Sequence, residues 1–179
     1  KASGERVTRV RGVLNGTSNF VLGLLEKGVG FDEAITAAQA AGFAEEDPSA
    51  DLDGLDAAAK LALIARAAFD IAPDPHAIEA DSLFDLSVGQ ILGARENGLR
   101  YRQVAELVAT EDGISASVRL IALPEDHALA RVENEENAVE VSCASGTSII
   151  LNGKGAGQAP TAGSVLSDVR ALLADGAPR

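Results

Sequence analysis

The sequence predicts an α+β domain: a mainly antiparallel sheet with helices packed on one face. Three observations carry that expectation. Apolar residues recur at helical spacing through the first half of the chain, the period shortens to alternation past Arg102, and the turn pair Asp112-Gly113 sits before an alternating run as hairpins require. Helices followed by strands build α+β layers.

Taken in order, Asp32 is the expected N-cap of a helix running to Ala41 and closed by Gly42, with Ala34, Ile35 and Ala38 at helical spacing. A second helix should begin at Asp53 or Gly54 and reach Phe69, because Pro73 and Pro75 forbid continuation. It is apolar nearly all round, which predicts a helix sandwiched in the interior. A third helix is expected within residues 82–97, ending at Gly98. Arg102 to Ala109 and Ser115 to Leu123 then form the arms of a hairpin, and further strands follow at Ala138 to Cys143 and Thr147 to Leu151. After Thr161 an amphipathic helix places Val165, Leu166, Val169, Leu172 and Leu173 on one stripe.

The 179 residues fit the roughly 100–200 of one domain and contain no repeat or low-complexity linker, so residues 1–179 read as a single domain. Hydrophobic residues make up 46% and aromatics only 3%, which leaves the core to Ala, Val, Leu and Ile and disfavours ligand binding by stacked rings. The net charge of -12, with Lys and Arg scattered, argues against nucleic acid as a partner. No apolar stretch approaches the ~20 residues of a membrane span, and no signal-peptide pattern opens the chain, so a cytoplasmic protein with no membrane partner is expected. No Met occurs, not even at position 1, which processing and truncation explain equally well. The lone Cys143 has no activating base beside it and reads as a structural thiol, and no metal site is expected.

Chemistry concentrates in three motifs. The densest runs from Gly42 to Lys60, where five carboxylates precede the second helix. A solvated acidic loop with Asp53 as helix cap is the ordinary reading of such a run. Asp56 and Lys60, however, stand four apart on an otherwise apolar helix, and buried charges there cost several kcal/mol unless paired or used. Carboxylates such as Glu45 and Asp56 suit a ligand ammonium, and a lysine on that helix suits proton exchange with a substrate oxygen. On the residues alone, a purely structural Asp56–Lys60 salt bridge is as good a reading. Lys60 is expected to be mostly buried, with its ammonium against Asp56 or Glu45.

The second motif, Gly12 to Phe20, contains the turn pair Asn15-Gly16, and its simplest reading is a turn. Gly16, Thr17 and Ser18 would also offer backbone donors and a hydroxyl to a carboxylate. The third, Gly153-Lys154-Gly155-Ala156-Gly157, fails as a dinucleotide fingerprint, because no strand–helix–strand unit or acidic residue follows it. A glycine-rich approach to a helix N-terminus remains, which can receive an anion.

Together, Leu14-Asn15-Gly16-Thr17-Ser18-Asn19-Phe20, Gly42-Phe43-Ala44-Glu45 with Asp47-Pro48 and Asp51, Gly54-Leu55-Asp56 with Lys60-Leu61, and Gly155-Ala156-Gly157 with Pro160-Thr161-Ala162 resemble the homoserine dehydrogenases in order and spacing, from about Val10 to Val169. That resemblance implies interconversion of aspartate semialdehyde and homoserine with NAD or NADP, on the route to threonine, isoleucine and methionine. It implies that Lys60 is the catalytic proton relay, that Glu45 and Asp56 bind the substrate with support from Asp51, and that Gly16 and Thr17 contact it. It also implies that Gly155 and Gly157 lie on a loop returning toward the cofactor. Family members carry, ahead of this region, a Rossmann domain with a second catalytic lysine and a segment that binds a monovalent cation. These lie outside the 179 residues, so the chain by itself is expected neither to hold the dinucleotide tightly nor to turn over. A homodimer formed through the sheet is implied as well, with residues 161–179 returning to the nucleotide-binding half. The reading from another class is a non-catalytic amino-acid-binding or dimerisation module built on the same domain.

Overall fold

A computed structural model describes residues 5–154. The elements are β1 (Val7–Val13), α1 (Gly16–Leu25), α2 (Phe31–Ala40), α3 (Ser49–Leu52), α4 (Leu55–Phe69), β2 (Glu79–Ala80), α5 (Val88–Glu96), β3 (Leu99–Thr110), β4 (Gly113–Pro124), β5 (Glu136–Cys143) and β6 (Ser148–Lys154). Six strands form one sheet in the order β2-β4-β3-β1-β5-β6, antiparallel throughout except for the short parallel pair β2–β4. The expected α+β architecture is therefore present. The helix expected after Thr161 lies outside the described residues.

Strand parity divides the sheet into two faces. Val10, Ala105, Leu107 and Val118 meet Ala57, Ala58, Leu61 and Ala65 of α4 in one apolar cluster. Next to it, Tyr101 and Leu120 join Val21, Leu22 and Leu25 of α1, Ala34 and Ala38 of α2, and Ile91 of α5. The opposite face turns Val13 and Val104 toward the 3-10 turn Ala128–Arg131, while Arg9, Glu106, Arg11 and Glu140 form a ladder of cross-strand ion pairs.

The structure corrects several expectations. Asp32 does not cap α2; Gly30 does, and Asp32 sits in the first turn where its charge suits the helix dipole. The third helix is two pieces, a 3-10 turn at Leu83–Asp85 and then α5. The break occurs because Ser87 and Gln90 build a capping box, with Leu86 extended ahead of it. The hairpin is longer than expected and turns at Glu111-Asp112, with Gly113 (φ 140°) already paired to Thr110. Most consequentially, α4 is one-sided. Ala57, Ala58, Leu61 and Ala65 are buried against the sheet, whereas Leu63 is 70% exposed, because nothing among the described residues lies over its outer face. No helix among the described residues is long and apolar enough to cross a membrane.

Candidate active site

The site grows from the corner between β1 and α1. Residues read there as a simple turn instead start a helix. Asn15 takes an extended conformation (φ -126°, ψ 119°) and caps α1 by accepting the Ser18 N–H on Oδ1 at 2.8 Å. Gly16 then begins the helix where a Cβ would stand 3.3 Å from Glu135 Cα and 3.4 Å from the Asn134 carbonyl, so the close approach of the segment leading into β5 favours a glycine. The main-chain N–H groups of Gly16 and Thr17, at the first two helical positions, have no intrahelical acceptor and form an anion-receptive end.

A second corner brings the carboxylates in. Leu52 of α3 is fully buried, and Gln103 donates to its carbonyl at 3.3 Å, which fixes the neighbouring Asp51. Gly54 (φ 76°) then turns the chain into α4, and a Cβ there would lie 3.0 Å from Gln103 Nε2. One turn on, Lys60 Nζ donates to Asp56 Oδ2 at 2.6 Å and to the Leu14 carbonyl at 2.9 Å. Asn15 Nδ2 donates to Asp51 Oδ1 at 2.6 Å and to Asp56 Oδ2 at 2.8 Å.

These groups line a cleft of about 440 Å³ together with Gly42, Phe43, Glu135 and Asn137. Thr17 closes one wall by donating its hydroxyl to the Phe43 carbonyl at 2.6 Å, and Phe43 stacks on Phe20. Glu135 accepts from Lys154 at 2.8 Å, and that hydrogen bond holds its carboxyl below the usual carboxylate range. Asp51, Asp56 and Glu135 line the cleft against Lys60, and Lys154 offsets Glu135 from outside the lining, so the carboxylates keep the excess. The field of the cleft therefore favours a cationic ligand group.

Of the residues singled out from sequence, Gly16, Thr17, Asp51, Asp56 and Lys60 converge here. Glu45 does not: it is exposed, outside the lining, with its main-chain carbonyl held by Gln39. The expected burial of Lys60 is corrected too, since its side chain is 44% exposed on the mouth side of α4, although its partner is indeed Asp56. Elsewhere in the acidic run, Asp47 accepts from the Ser49 main-chain N–H at 3.1 Å and Asp53 accepts from the Ser82 hydroxyl at 2.5 Å. Gly155 and Gly157 lie outside the described residues. Asn15, Glu135 and Asn137 escaped the sequence reading. An Asn three residues before Ser at a helix start would have flagged Asn15, whereas only long-range pairing brings Glu135 and Asn137 in.

The family model for homoserine dehydrogenase matches residues 1–169. The NAD(+)-dependent homoserine dehydrogenase of Pseudomonas canavaninivorans is 38% identical over 168 residues, 93% of this chain and 48% of that protein. The S. aureus homoserine dehydrogenase crystal structure superposes with a TM-score of 0.86 at 29% identity, covering 98% of this chain and 45% of that one. A hyperthermophilic archaeal homoserine dehydrogenase in complex with NADPH gives 0.79 at 28% identity, covering 94% and 48%. The chain spans about half the length of the curated relatives it matches.

Proposed function

Since the chain belongs to the homoserine dehydrogenase family, we propose that it supplies the substrate-binding and proton-transfer half of that enzyme, acting on L-homoserine and L-aspartate 4-semialdehyde with NAD or NADP. The observation that carries the reading is the convergence of three complementary features in one cleft. The Gly16 and Thr17 N–H groups suit a carboxylate, Asp51 and Asp56 suit an ammonium, and Lys60 suits an oxygen at the far end of a short amino acid.

Lys60 is the proton-transfer group of this proposal. An ammonium has three N–H donors, and two are spent on Asp56 and the Leu14 carbonyl. The third is left for the substrate oxygen. In the reducing direction the Lys60 ammonium gives a proton to the aldehyde oxygen, and in the oxidising direction its neutral amine, having first released a proton to water, takes the hydroxyl proton. Nicotinamide, when bound, supplies or removes the hydride at the carbon bearing that oxygen. The residues present fit its carboxamide, because Asn137 Oδ1 is buried in the lining without a hydrogen-bond partner among the described residues, an acceptor that an amide N–H satisfies. Gly155 and Gly157 are assigned to the cofactor side, and Glu45 to the mouth, where it reaches the substrate ammonium only by moving inward. A homodimer contact is assigned to the exposed strand β6.

Binding and turnover test this separately. Homoserine titrated into the chain should perturb the amide resonances of Gly16 and Thr17, and in the full-length protein it should drive reduction of NAD or NADP. An unperturbed spectrum together with an inactive full-length protein would overturn the assignment.

A further inference from the structure

We infer that Asn15 is a positioning residue, one that ties Asp51 and Asp56 into a unit and through Asp56 aims Lys60. This rests on the dehydrogenase reading for its consequence but on geometry for its existence. Asn15 is only 4% exposed. An amide side chain can ordinarily face either way, since its oxygen and nitrogen are nearly alike in shape. Here its orientation is forced. The Ser18 main-chain N–H can only donate, so the atom 2.8 Å from it must be Oδ1. Nδ2 is thereby directed at the carboxylates, and its two hydrogens match the two acceptors, Asp51 Oδ1 and Asp56 Oδ2.

Without a donor between them, two carboxylates within reach of one nitrogen repel each other. The amide offsets that repulsion without adding charge, which a lysine in its place would not do. Asp56 Oδ2 accepts from Asn15 and from Lys60 at once, so the amide also fixes the point about which the Lys60 ammonium is held. The residue just before it completes the arrangement, as the Leu14 carbonyl takes the second Lys60 hydrogen. One corner of the chain therefore starts α1, spaces the carboxylates and orients the ammonium.

Capping and positioning separate cleanly by substitution. Ser caps a helix as well as Asn does but has no NH₂ to bridge two carboxylates, whereas Ala does neither. In the full-length enzyme, Asn15→Ser should keep its Tm within about 2 °C of the parent while kcat falls about 10- to 100-fold, the scale of a misplaced reacting group. KM for the dinucleotide should not change. Asn15→Ala should lose kcat similarly and also melt several degrees lower. Parent-like kcat and amino-acid KM in Asn15→Ser would reduce Asn15 to a cap and overturn the inference. If the parent itself shows no homoserine-dependent activity, the dehydrogenase reading fails and the crystal structure of the Asn15→Ser chain decides this one. Asp51 and Asp56 drawn apart, or Lys60 released from Asp56, supports it; an unchanged carboxylate pair refutes it.

Discussion

Lys60 is held at two points by Asp56 and the Leu14 carbonyl and left with one hydrogen toward the cleft. Such a group contributes little to the fold, because an ion pair this exposed is worth at most about 1 kcal/mol. Lys60→Ala in the full-length protein should therefore melt close to the parent yet turn over roughly 10²–10⁴ times more slowly, as measured by kcat and by thermal denaturation. An unchanged kcat would remove the role. Glu45 is a sharper discriminator, since it sits outside the cleft as described. If it moves inward to the ammonium, Glu45→Gln should raise KM for homoserine and leave kcat nearly intact. If it stays in solvent, both constants hold. The pairing of Asp56 with Lys60 was legible because four residues on a helix is a local distance. The exposure of Lys60 was not legible, because it depends on which side of α4 meets the sheet. Glu135 is farther still from a local signal: it enters the cleft only because β5 pairs with β1, more than a hundred residues away in sequence.

At the scale of elements, α1 is anchored at both ends, and its far end explains how the site stays oriented. Glu26, the C-cap, places a negative charge where the helix dipole is already negative. Arg100 reaches it at 2.7 Å and Arg102 at 2.9 Å, both from β3, and Arg102 also donates to the Ala130 carbonyl at 2.8 Å. Burial works to raise the Glu26 carboxyl, but the hydrogen bonds and charges of Arg100 and Arg102 outweigh it and hold the group below its ordinary value near 4.5. A carboxylate depressed in this way contributes stability that is present above its unfolded-state value and is lost as pH falls through its lower folded value. The chain should therefore lose stability as pH falls below about 4.5. Glu26→Gln should be less stable by about 3 kcal/mol at neutral pH, since it leaves the buried Arg102 guanidinium without its carboxylate, whereas the half-buried Arg100 keeps Glu133. Denaturant melts across that pH range check both, and a variant as stable as the parent would mean that the network adds nothing. The same elements show why parts of the fold escaped the sequence. β1 shows only a short alternation because its register shifts between Val7 and Arg9 and Gly12 carries no side chain, while Arg9 and Arg11 on the open face are neutralised by Glu106 and Glu140. The β3–β4 hairpin was legible because both its turn and its alternation are local.

For the molecule as a whole, the unresolved demand is at the sheet's edge. Among the described residues β6 pairs with β5 on one side only, and it presents Ile149 at 43%, Ile150 at 44% and Leu151 at 60% exposure, so apolar side chains emerge on both of its faces. An edge strand with free main-chain groups and apolar side chains invites uncontrolled pairing unless something covers it. A second copy is the economical cover, because a twofold axis lets one edge satisfy its own equivalent without creating a new open end. The helix-bearing face is already filled by α1, α2, α4 and α5, so the contact should run through β6 and the adjoining open face with its charge ladder. Light scattering across a range of concentrations should give twice the monomer mass. Leu151→Lys, which adds a charge to the middle of that strip, should shift the equilibrium to monomer without lowering the intrinsic melting of the fold, because Leu151 contributes nothing to the three buried clusters. A parent that remains monomeric at every concentration would rule out the dimer, and a dimer indifferent to Leu151→Lys would move the contact to another surface.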